Sequence, residues 1–142
     1  KIFAYDFKGY HASIDSIGSY FKHNMELLNK NLRDELFGAR DIYTKVRDSA
    51  PSKYGENSKI KNSLISDGCI VEGTVENSIL FRGVKVGKGS VIKNSIVMQD
   101  NLIGDNVSLN CVITDKNVVI RDRRVLSGCE AQPYCIPKGS MI

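Results

Sequence analysis

A ten-residue phrase returns four times along this chain, and the regularity of its return leaves few folds open. It runs from Asn62-Ser63-Leu64-Ile65 to Val71, from Asn77-Ser78-Ile79-Leu80 to Val86, from Asn94-Ser95-Ile96-Val97 to Ile103, and from Asn110-Cys111-Val112-Ile113 to Val119. The steps between these copies are 15, 17 and 16 residues. Tyr54 to Ser63 also lies over Val86 to Ser95 without a gap. A repeat of this length cannot bury its apolar side alone, so copies must stack and share one continuous core.

Each copy divides into shorter units in which an aliphatic residue is followed by Gly or an acidic residue, with a small residue two positions before the next aliphatic. Val86-Gly87 with Ser90 and Ile92, and Ile103-Gly104 with Val107 and Leu109, are the cleanest instances. Three such hexapeptides make a triangular turn of roughly 15 to 18 residues, stacked at the sheet spacing of about 4.8 Å. The expected fold is mainly β, a left-handed parallel β-helix of about five coils over residues 51–142. Period-2 alternation points the first and third residues inward in Ser58-Lys59-Ile60, Ser63-Leu64-Ile65, Cys69-Ile70-Val71, Ser78-Ile79-Leu80, Val84-Lys85-Val86 and Ser90-Val91-Ile92. A one-residue slip would bury Lys59 and Lys85 without partners, at a cost of several kcal/mol each.

In that frame the outward residues of one face are Leu64, Ile79, Ile96 and Val112, an apolar ridge expected to be covered by a helix or to serve as a subunit interface. The next face reads Ile70, Lys85, Leu102 and Val118.

The 142 residues leave room for the solenoid and one appendage. No apolar run approaches the roughly 20 residues of a membrane span, and no secretory signal is visible, so a cytoplasmic location is expected. Lys1 is not an initiator, and the sequence reads as a piece of a longer chain. A net charge of +4, without a clustered basic face or interleaved aromatics, does not point to nucleic acid. Cys69, Cys111, Cys129 and Cys135 match no zinc spacing; Cys69 and Cys111 are expected to pack inward as small hydrophobes, and no metal site is expected.

Residues 1–50 differ in kind. Phe7 to Ile14 alternates weakly like a strand. Asp15 or Ser16 can cap a helix carrying Ile17, Tyr20, Phe21, Met25, Leu27 and Leu28, and Asn31 a second helix from Leu32 to Phe37. Ser49 to Tyr54 reads as the linker into the first coil.

Solenoids of this kind include acyltransferases with a His between coils, three-His zinc enzymes, and non-catalytic assembly domains. His11 and His23 are the only histidines, and both precede the coils, so no catalytic residue is expected in the solenoid.

The runs Lys61 to Gly73, Glu76 to Gly87 and Asp115 to Ile120, with Ser19-Tyr20 to Asn24-Met25-Glu26-Leu27-Leu28 and Asp41-Ile42-Tyr43-Thr44, resemble the C-terminal part of bacterial glucose-1-phosphate adenylyltransferase, closest to its GlgD-type subunit. The resemblance covers nearly the whole chain. It implies that residues 1–50 are the tail of a nucleotidyltransferase domain with connecting helices, and that the parent protein uses ATP and Mg to make ADP-glucose. The fragment itself would need no cofactor. Another sugar nucleotidyltransferase β-helix, or a hexapeptide acyltransferase-type domain, remains the alternative.

Catalytic members carry Asp-Val-Gly-Thr before the first helix, where this chain reads Ser13-Ile14-Asp15-Ser16. A hydroxyl replaces the carboxylate a hard cation prefers, which implies a weakly catalytic parent working in a homo- or hetero-oligomer with a catalytic pyrophosphorylase subunit. A one-residue shift of the alignment would instead bring Asp15 to the family's Asp. The resemblance also implies an anionic metabolite effector at Lys116, where Arg121, Arg123 and Arg124 can add phosphate donors; the competing role for these arginines is to blunt the last coil's edge.

Overall fold

In the computed structural model, residues 1–38 and 41–142 are described. Fifteen short strands form three parallel five-stranded sheets, the three faces of a solenoid of five coils. The first face stacks Lys53–Tyr54, Ile70–Val71, Lys85–Val86, Leu102–Ile103 and Val119–Ile120. The second stacks Lys59–Lys61, Thr74–Glu76, Val91–Lys93, Ser108–Asn110 and Val125–Ser127. The third stacks Leu64–Ile65, Ile79–Leu80, Ile96–Val97, Val112–Thr114 and Tyr134–Ile136. Ser49 to Tyr54 is more than a linker, since its last two residues pair with Ile70 and Val71. No described helix is long and apolar enough to cross a membrane.

The inward frame holds beyond the first coil, while Ile60, at the open end of the second face, is 40% exposed. Cys69, Val71, Leu80, Val84, Val86 and Ile92 are buried in one continuous core, while Lys85 faces solvent between two buried valines. Thr74–Glu76 is an additional strand, and it follows a corner shortened to Glu72-Gly73. A side chain at Gly73 would run into the Ser90 and Gly87 carbonyls of the next coil, which is why the shortened corner takes glycine.

Late in the chain the alignment of asparagines falls one residue out, while the strands keep a step of 17 residues from Ile79 to Ile96 to Ile113. Ile113, not Val112, is paired with Ile96, and Val119, not Val118, with Leu102. Val112 and Val118 are therefore core residues, fully buried, and the outward columns read Leu64, Ile79, Ile96, Ile113 and Ile70, Lys85, Leu102, Val119. The cause is a corner residue. Asn62, Asn77 and Asn94 each take a left-handed backbone, with φ between 43° and 45°, and the fourth such position is Cys111 with φ 53°, not Asn110. Asparagine tolerates this region; cysteine does so less readily. Cys111 accordingly does not point inward: it packs on the outer side with Phe21, Ile96 and Ile113.

That outer cluster is where helix α1 (Ile17–Glu26) lies across the third face, with Phe21 97% buried and Tyr20 and Met25 alongside Phe81 and Met98. Ser16 caps α1 by accepting from the Ser19 amide while Ser19 Oγ accepts from the Ser16 amide. Arg33 donates to the carbonyls of Leu27 and Leu28 at 2.8 and 3.2 Å, closing the other end. Helix α2 (Lys30–Gly38) starts one residue before Asn31, and the cap is Asn29, whose Oδ1 accepts from the Asn31 amide at 2.9 Å. Phe7 to Ile14 forms no strand: it has no neighbouring strand to pair with among the described residues, and most of it is exposed.

Polar groups at the inner corners tie coil to coil. Ser78 Oγ donates to Glu76 O and accepts from the Ser95 amide, and Ser95 Oγ in turn donates to Lys93 O and accepts from the Val112 amide. Ser90 and Asn101 do the same at the other two corners, accepting from the amides of Val107 and Val118. Thr114, equally buried, has a hydroxyl with no partner. Ser95→Ala should therefore lose about 1–3 kcal/mol of stability, whereas Thr114→Val should gain about 1 kcal/mol, both measured by urea unfolding. A loss in Thr114→Val as large as that in Ser95→Ala would contradict the assignment of these two hydroxyls.

Candidate functional site

The four basic residues occupy two corners of the last coil, at opposite ends of the strand Val119–Ile120. Lys116 belongs to the corner between the third and first faces. Backbone bonds step up that corner through Asp67, Arg82, Gln99, Lys116 and Gly139, so Lys116 sits in one column with Arg82 and Lys138. Arg82 Nε is paired with Asp67 at 3.0 Å, while Lys116 is exposed and makes no ion pair among the described residues. Arg121, Arg123 and Arg124 lie at the corner between the first and second faces. Arg121 donates to Met141 Sδ at 3.0 Å, and Arg123 occupies, with φ 60°, the left-handed position held by Gly89 and Asn106 in earlier coils. Carboxylates of Asp105 and Asp122 share this corner, accepting from the Lys88 and Asp105 amides at 2.8 Å. The strand Val119–Ile120 of the first face lies between Lys116 and the three arginines. The edge of that face is covered by residues 140–142, whose backbone bonds Val119 and Arg121.

A deeper concavity lies elsewhere than at these corners. Between α1 and the corner that joins the second and third faces runs a groove of about 840 Å³. Met25 and Leu28 line it from the helical side, Asn62, Asn77 and Asn94 from the corner, and the loop residues Glu130 and Ala131 at its end. Gly18 permits this closeness, since a side chain there would press on the Ala131 carbonyl at 3.3 Å. The asparagines are legible in the sequence as markers of the repeat. Nothing in their spacing indicates that a helix folds back over them to make a groove.

At the rim, Glu26 gathers a latch that joins the leading segment to α1. Its Oε2 lies 2.8 Å from both Tyr10 Oη and His23 Nδ1. The bonds from His23 and then Tyr10 hold the Glu26 carboxyl below the usual range, while burial, with Glu26 adding to it, pushes the Tyr10 phenol up. Burial likewise raises the Cys69 and Cys111 thiols, which makes them poor nucleophiles. Among the described residues no three His, Cys, Asp or Glu side chains cluster to hold a metal ion.

Comparison with known proteins places the chain. Residues 48–132 match the family model of the GlmU-like C-terminal hexapeptide domain. The chain belongs to that hexapeptide-repeat family. It is 46% identical over 136 residues to glycogen biosynthesis protein GlgD of Bacillus subtilis (strain 168), covering 95% of this chain and 40% of that protein. It is 48% identical over 119 residues to the GlgD protein of Geobacillus stearothermophilus, covering 83% of this chain and 35% of that protein. To a glucose-1-phosphate adenylyltransferase of Desulfitobacterium hafniense (strain DSM 10664 / DCB-2) it is 35% identical over 122 residues, 85% of this chain and 31% of that enzyme. The chain thus spans between 31% and 40% of the length of these relatives.

The Glu26 latch gives a pH expectation. A carboxyl that titrates lower when folded contributes stability above its unfolded pKa of about 4.3 and loses it as pH falls through the depressed folded value. The Tyr10 ring resonances should shift to those of a solvated tyrosine as pH falls below the ordinary carboxyl range in the wild type, whereas Glu26→Gln should show no transition there. A Tyr10 transition that persists in Glu26→Gln would assign it to another group.

Proposed function

We propose that this chain is the solenoid part of a GlgD-type subunit of glucose-1-phosphate adenylyltransferase, acting in glycogen biosynthesis by assembly and regulation and not by catalysis of its own. The observation that carries this reading is the graded likeness: 46% and 48% identity to two GlgD proteins, against 35% to the Desulfitobacterium adenylyltransferase. The chemistry supports it. The five coils carry no histidine for acyl transfer, and their acidic side chains form ion pairs and backbone bonds, not a metal cluster. ATP, glucose 1-phosphate and Mg would be handled by a nucleotidyltransferase domain of the full-length protein; the residues described here do not fit a magnesium site, and no step of the reaction runs through them. Ser13, where catalytic members carry the metal-binding Asp, favours a parent that depends on a catalytic partner subunit.

The geometry divides the solenoid's regulatory options. Lys116 is exposed and in line with Lys138 on a corner where Asp115 accepts from its amide at 2.7 Å, and the arginines share theirs with Asp105 and Asp122, so an anionic effector at either corner would also meet a carboxylate. Leu64, Ile79, Ile96 and Ile113 form one outward column, and α1 packs on its Ile96 and Ile113 end, so a subunit interface on this side would include the helix.

The test uses the full-length protein that contains this chain. Alone, with ATP, glucose 1-phosphate and Mg, it should make no ADP-glucose above background, and with acetyl-CoA and amine acceptors it should transfer no acetyl group. Mixed with a catalytic glucose-1-phosphate adenylyltransferase, it should co-elute with that enzyme and change its kcat or its activator response. Independent elution with unchanged kinetics, or acetyl transfer by the protein alone, would overturn the proposal.

A further inference from the structure

The groove beneath α1 contains hydrogen-bonding groups that the fold leaves unused. Asn62 Nδ2 donates to Asn77 Oδ1 at 2.8 Å, and Asn94 Nδ2 to Asn110 Oδ1 at 2.9 Å. Between these two pairs the column is interrupted. Asn77 Nδ2 and Asn94 Oδ1, a donor and an acceptor on successive coils, have no partner among the described residues, and both side chains line the groove. Opposite them are the apolar surfaces of Met25 and Leu28.

The lining narrows what can lie there. An anion would meet Glu26 and Glu130, and a cation would meet Lys22, so no field of one sign fills the groove. A nucleobase needs an aromatic face to stack on, but Phe21, the aromatic residue of the lining, is 3% exposed and spent in the outer cluster. An extended peptide presents same-side groups about every 6.6 Å, out of step with coils about 4.8 Å apart. What matches is a neutral ligand that repeats donors and acceptors at about the coil spacing and carries an apolar face.

We propose that this groove binds a short neutral oligosaccharide. Successive sugar hydroxyls accept from Asn77 and donate to Asn94, and the C–H face of a ring packs on Met25 and Leu28. The inference does not rest on the chain's part in a nucleotidyltransferase.

The test is a maltotetraose titration of the 142-residue chain, followed by NMR of the asparagine side-chain amides and of α1. Saturable shifts are expected at Asn77, Asn94 and α1. Asn77→Asp keeps a residue that tolerates the left-handed backbone and keeps the acceptor for Asn62, but deletes the free donor; it should weaken binding about fivefold, the worth of one hydrogen bond. Ala131→Trp, which fills the groove from the loop side, should abolish binding with the solenoid intact by circular dichroism. No saturable shift in the wild type, equal affinity in both variants, or displacement of the same shifts by inorganic phosphate would overturn the proposal.

Discussion

The fold depends on one small polar relay repeated at its corners. A coil that turns three times in 15 to 17 residues must bend its backbone inside an apolar stack, where an unpaired amide costs about 1–3 kcal/mol. Ser63, Ser78 and Ser95 on one corner, with Ser90 and Asn101 on the others, each accept the amide that begins the next coil's strand. Each also donates a hydrogen bond to a carbonyl nearby. The side chain has to be short enough to fit inside the bend and polar enough to serve both partners. That double demand is the physical origin of the small residue before each aliphatic in the sequence. Above Val112, which takes the place of Ser95, an inserted loop separates the last two strands, and Gly128 and Tyr134 bond back to Asn110 and Cys111.

The second dependence is on α1. A stacked solenoid repeats its outward residues as well as its inward ones, so Leu64, Ile79, Ile96 and Ile113 form a ridge that water would otherwise wet. Phe21 and Met25 cover it at Ile96 and Ile113, and the helix that brings them there also creates the groove along the asparagine corner. Core stability and a candidate binding surface thus come from the same docking event. The exposed apolar residues of the first face, Ile70 and Leu102, have no such cover among the described residues.

The core was legible in the sequence wherever the period was unbroken, because a wrong frame would bury Lys59 or Lys85. It was misread at Val112 and Val118, where Cys111 stands in the backbone position that Asn62, Asn77 and Asn94 mark in earlier coils. A pattern that aligns asparagines chooses Asn110, and backbone dihedrals are invisible to it. The cap of α1 was legible only as a choice between Asp15 and Ser16, which the return bond from Ser19 decides for Ser16, while Asn29 was passed over because the helix it starts has little apolar periodicity. The groove was not legible: its donors come from the repeat, its apolar wall from a helix more than thirty residues earlier, and only docking brings them together.

Amide hydrogen exchange of the native chain tests the corner relay most directly. The amides of Ser78, Ser95, Val107, Val112 and Val118, which bond to side chains and not to a neighbouring strand, should be protected as strongly as the ladder amides of Leu102 and Val91. Exchange of those five at the rate of exposed loop amides, with the ladder still protected, would contradict the claim that the corners hold the coils together.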